Sequence, residues 1–155
     1  MHRQNSGCDR IVYKRRLARD FRAAAMLIGG VIMAVDLEHL YAILAPVARN
    51  QSQITYGQLS EEYFQRTEER HDPHGTWDAP LGELNRILHT VRWPSLSAVV
   101  VLQDGREPGG GFWESSPNIP RRPGNEIDRI MSYAAILRQV HAAPWPEAIP
   151  MATPP

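Results

Sequence analysis

The stretch WPSLSAVVVLQDGREPGGGFW, Trp93–Trp113, constrains the fold more than any other part of the chain. Ser97–Leu102 is short, apolar and β-branched, which suits a strand. Asp104-Gly105 follows, and glycine accepts the positive φ that a tight hairpin turn needs. Gly109-Gly110-Gly111 then permits a close backbone approach before Phe112 and Trp113 return to the core. The pattern predicts that Ser97–Leu102 and about Gly111–Trp113 pair as antiparallel strands. As a phosphate cradle the three glycines carry little weight, because no strand–GxxxxGK–helix context surrounds them.

Helical stripes flank this unit. Asp36 is a good N-cap for a helix over Leu37–Ala48, with Leu37, Leu40, Tyr41, Leu44 and Val47 at helical spacing. Thr55 caps a second helix from about Tyr56 to Arg66, with Leu59, Tyr63 and Phe64 as its inward positions. Its acids Glu61, Glu62, Glu68 and Glu69 form a solvated face. His71–Pro80 is a loop by its Pro, Gly and Asp content. A third helix begins near Pro80, with Leu81, Leu84, Ile87, Leu88 and Val91 as its stripe. A last helix runs from about Asn125 to Ala142, with Ile127, Ile130, Met131, Ala134, Leu137 and Val140 as its apolar face. The order is helix, helix, loop, helix, strand, strand, helix. It predicts an α+β chain: a small winged-helix-like domain of three helices plus a β-hairpin, spanning 33–142, with an extra C-terminal helix.

The two ends read differently. Five of the 13 prolines fall in the last dozen residues, so 143–155 is expected to be a disordered tail. Residues 1–32 form a basic leader with seven Lys or Arg against two acids. Its run AAAMLIGGVIMAV is too short to span a bilayer, and Asp36 and Glu38 follow at once. One expectation is that Gly29-Gly30 is encoded by a ribosome-binding sequence and that Met33 is the true start. The other is an amphipathic helix over Tyr13–Leu27 with Leu17, Phe21 and Ala24 on one face. The single cysteine, Cys8, cannot form an internal disulfide, so a cytoplasmic location is expected. A catalytic thiol would need a positioned base, and the sequence shows none for Cys8, so an inert cysteine is expected.

The overall net charge of zero hides an asymmetry. After the leader, ten arginines face fifteen acids. An acidic body weighs against strong non-specific DNA binding. His71, Asp72, His74 and Asp78 make the one cluster with metal-ligand chemistry. Their spacing fits no rigid pattern such as two histidines one helical turn apart. No structural zinc and no cofactor are therefore expected. No G-x-S-x-G elbow offers a serine nucleophile, and no catalytic residue can be named.

One segment carries a resemblance. ITYGQLS, Ile54–Ser60, resembles the YGQLA segment of the DNA-binding domain of alkylguanine-DNA alkyltransferases and alkyltransferase-like proteins. There it opens the first helix of a winged helix-turn-helix. The resemblance covers about residues 36–113. It implies that helix 81–91 is the counterpart of the recognition helix and that 97–113 corresponds to the strands and Gly-rich wing. It implies further that Tyr56 lies near DNA phosphate, and Arg86 or Arg92 near bases or backbone. The Pro-Cys-His-Arg segment is absent, since Ser95, Leu96 and Ser97 follow Pro94. Alkyl transfer is thus excluded for want of the thiol. The loop 66–79 is also long for a tight helix-turn-helix. The chain is similar as well to small bacterial proteins that pair a YGEL-like motif with PLLSALVV and GxPGxGF. Leu96-Ser97-Ala98-Val99-Val100 and Pro108-Gly109-Gly110-Gly111-Phe112 carry that second match.

Together these readings predict a non-catalytic cytoplasmic binding protein whose partner is DNA or a protein, with no membrane association. Weak DNA binding would need Tyr56, Arg86, Arg92, Arg121 and Arg122 to gather on one side. One alternative is a small metal-dependent enzyme of defence or nucleic-acid processing, using His71, His74 and Asp78. Another is a protein–protein adaptor that contacts its partner through Trp77, Trp93, Phe112 and Trp113.

Overall fold

A computed structural model describes residues 34–155. The late start at Met33 and the helix over 13–27 lie outside the described residues. Asp36–Pro155 form one compact unit. Its elements are α1 (Leu37–Arg49), β1 (Ile54–Thr55), α2 (Tyr56–Thr67), α3 (Asp78–Thr90), β2 (Val100–Val101) and α4 (Glu126–Ala142). The unit is helix-dominated α+β, and no helix among the described residues is long and apolar enough to cross a membrane.

Three of the four helices start where a polar residue satisfies free backbone donors, while α3 starts after Trp77 with no side-chain cap. The Asp36 carboxylate accepts from the amides of Glu38 at 2.8 Å and His39 at 3.3 Å. Asn125 does the same for Ile127 and Asp128 at the start of α4. Thr55 and Gln58 form a reciprocal capping box at α2. At the end of α3 the Val91 amide donates to the Leu88 carbonyl at 3.2 Å, and Arg92 leaves the helix at φ 63°.

The strand pairing differs from the sequence reading. β1 and β2 run parallel, with Ile54 opposite Val100 and Thr55 opposite Val101. There is no antiparallel partner at Gly111–Trp113, because Gly110–Phe112 is a 3₁₀ turn. Leu96–Val99 is a second 3₁₀ turn, so half of the expected strand is not extended. Side chains explain the change. The Ser97 amide donates to Asn85 Oδ1 at 3.2 Å, and the Ala98 carbonyl accepts from the Tyr133 hydroxyl at 2.7 Å. Those backbone groups are satisfied without a neighbouring strand. The Asp104-Gly105 turn does form: Gly105 has φ 71°, and the Leu102 amide reaches the Glu107 carbonyl at 2.9 Å. It leads into a loop rather than into a second strand.

The apolar run Leu96–Val101 is the spine of the core. All six residues are buried, and the turn at its start touches α1, α3 and α4. Leu40 and Leu44 of α1, Leu59 of α2, and Leu84 and Leu88 of α3 are fully buried around it. Burial keeps the Tyr41 and Tyr133 phenols protonated up to about 12, although Arg49 pulls the first down and Gln53 the second.

The proline-rich segment also corrects its reading as a tail. Trp145 is buried, 5.0 Å from Trp93 between ring centres, and its indole donates to the Val140 carbonyl at 2.7 Å. Arg49 donates to the carbonyls of Trp145 and Pro146, and the Tyr41 hydroxyl to that of Pro146. Further on, the Trp93 indole donates to the Ala152 carbonyl at 2.7 Å. Indole area supplies what a Pro-rich composition conceals: one buried tryptophan gives the segment an apolar anchor on the core.

Candidate functional site

The residues of the YGQL segment are spent on architecture. Thr55 and Gln58 cap α2, and Leu59 is fully buried. Tyr56 points at the glycine loop, where its hydroxyl accepts the Gly109 amide at 3.1 Å. Burial raises the Tyr56 pKa above 10, and the nearby Asp78 carboxylate adds to the rise. A Cβ on Gly109 would stand 3.0 Å from that hydroxyl, and one on Gly111 would collide with the Asp78 carboxylate. The glycines therefore serve the close approach that their pattern predicts. Tyr56, expected near DNA phosphate, is committed to holding this loop.

Of the four arginines assigned to DNA, two share a feature. Arg86 of α3 and Arg121 line an open groove of about 410 Å³, together with Glu114, Ser115, Ser116, Pro117 and Ile119. Arg86 is partly neutralised there: its guanidinium lies 2.7 Å from Glu83 Oε2 and reaches the Ser115 carbonyl at 3.4 Å. Arg92 and Arg122 are exposed but do not line this groove.

A buried polar seam underlies the groove wall. Asn85 is fully buried. Its amide nitrogen donates to Ser97 Oγ at 2.6 Å and Ser115 Oγ at 3.2 Å, while its oxygen accepts the Ser97 amide. Ser95 and Ser116 both donate to Asn118 Oδ1. These bonds fix the loop that carries Glu114–Arg121 against α3. Asn85 lies outside the stripe Leu81, Leu84, Ile87, Leu88 and Val91 that the sequence turns inward, so the periodicity missed it. Its position one residue from Leu84 on the stripe was the available signal.

The metal candidates do not converge. His71 packs between the rings of Tyr63 and Trp77, with centroid distances of 5.1 and 5.4 Å. Its side chain is 5% exposed; Nε2 lies 3.8 Å from Glu69 and has no hydrogen-bond partner among the described residues. His74 is exposed, with its amide on Asp72. Asp78 opens α3 beside Gly111. Among the described residues, no group of three or more His, Cys, Asp or Glu is placed to hold a metal ion. The four aromatics assigned to an adaptor contact, Trp77, Trp93, Phe112 and Trp113, are all buried in the core.

The unassigned surface is on α4. Its inner side buries Tyr133 and Val140, and Arg129 ties it to Glu107 at 2.6 Å. The sequence reading turned Ile127, Ile130 and Met131 inward, but the structure exposes them at 68, 46 and 66%. At 100° per residue, Ile127, Met131, Ala134 and Arg138 fall on one outward line, with Ile130 beside it. The signal was an excess: α4 has more apolar positions than one buried face can use.

No protein-family model, curated protein or solved structure matches this chain.

Proposed function

We propose that this chain is a non-catalytic binding module, that its contact surface is the outward face of α4, and that its partner is a protein. The exposure of Ile127, Ile130 and Met131 on one well-capped helix carries the reading. Single exposed apolar residues are ordinary, but a contiguous line of them on a fixed helix marks a contact surface. Each Å² of apolar surface left in water forgoes about 25 cal/mol of burial, of which association recovers the part that exceeds its entropy cost. The acidic body supports a protein rather than a nucleic acid as partner. The test is a photoreactive benzoylphenylalanine at Met131, with a control at Glu61 on the solvated side of α2, in the full chain expressed in cells. Discrete protein adducts at 131, absent at 61, are expected. Equal or absent adducts at both positions refute the reading.

A second reading is a winged-helix-like DNA binder, favoured by Arg86 and Arg121 sharing one groove. On that reading duplex binding weakens with a slope of roughly −0.9 in log affinity against log salt per neutralised phosphate. Arg86→Ala with Arg121→Ala would lower the slope by about two such contacts. No binding at low salt removes this reading.

A further inference from the structure

We infer that the occupant of the α4 face is a second copy of this chain, docked antiparallel about a two-fold axis. The inference rests on α4 being the contact surface. Its charge order points to self-complementarity. Glu126 and Asp128 lie exposed in the first turn of α4, while Arg138 lies exposed toward its end. An antiparallel pair sets acids against bases, whereas a parallel pair sets like against like. The helix dipoles favour the same arrangement.

The apolar line obeys the same symmetry. With the axis between Met131 and Ala134, Met131 of one copy meets Ala134 of the other, large against small. Ile127 then meets the aliphatic stem of Arg138. On the flanks, Asp128 faces Arg138 of the second copy, while the His141 ring stays on the Ser52 carbonyl of its own chain at 3.0 Å. Every contact occurs twice, as an isologous interface requires. The helix has 17 residues, so it offers a seam of about 25 Å. A seam one helix wide covers less than the roughly 800 Å² per partner of a standard stable interface, so the pairing is weak.

Sedimentation velocity of the full chain over a wide concentration range tests this. A monomer–dimer equilibrium is expected. Met131→Glu should leave only monomer, and circular dichroism should show the helices unchanged, since the side chain is exposed. Asp128→Arg or Arg138→Asp alone should weaken the dimer about tenfold, and the two together should restore it. The photoadduct at 131 should have twice the mass of the chain. A monomer at every concentration overturns the inference, as does a dimer indifferent to all these changes. If the chain stays monomeric yet forms adducts of another mass, self-association falls and the contact surface stands. If neither dimer nor adduct forms, both fall.

Discussion

Trp145→Ala is expected to destabilise the protein by about 3–5 kcal/mol, the usual loss when a buried aromatic is deleted from a core. The indole is buried and packs on Trp93, and its N–H satisfies the Val140 carbonyl near the end of α4. Removing it also releases the Trp145 and Pro146 carbonyls that Arg49 and Tyr41 hold. For a unit of this size the loss corresponds to a drop of roughly 10–20 °C in Tm. Truncation after Ala143 should produce a similar drop. Thermal melts of the two variants check this. A change of less than about 1 kcal/mol in both would mean that the proline-rich segment is the unstructured tail its composition suggests.

Asn85→Leu should cost about 2–4 kcal/mol despite the similar branched outline of the two side chains. The leucine cannot accept the Ser97 amide or bond the hydroxyls of Ser97 and Ser115. Each buried polar group left alone costs about 1–3 kcal/mol. Ser115→Ala should cost less, because the amide of Asn85 still has Ser97, and the Phe112 carbonyl that loses the Ser115 hydroxyl still accepts the Ser115 amide. Urea unfolding of both variants supplies the comparison. Equal effects would show that the seam is held by the serine rather than by the asparagine.

The helices were legible because capping and periodicity are local. Asp36, Thr55 and Asn125 stand where the sequence places them, and the bounds of α1, α2 and α4 follow within a residue or two. The sheet was not legible. A β-branched run reports that a segment wants burial and extension, but not which backbone it pairs with. Here Ile54, forty-six positions earlier, is the partner of Val100. Asn85 and Tyr133 then replaced strand neighbours with side-chain hydrogen bonds, which no local pattern encodes. The glycine loop was read correctly as a close approach, yet its counterpart Tyr56 was assigned to a ligand. The α4 face was misread for a related reason: periodicity counts apolar positions but does not say which arc meets the core.

The hydrogen bonds from Tyr41 and Arg49 to Trp145 and Pro146 span about a hundred positions of chain. Closing so long a loop costs more entropy than any helix–helix contact nearer in sequence, and its reward comes only once both ends are in place. The local pairings of α1 with α2 can form early, but one flank of α1 must wait. Assembly therefore has an order built into it, with the seam between the first helix and the last segment as its final step. Until that step the indoles of Trp93 and Trp145 are open to water, and the chain is at its most adhesive just before it is finished.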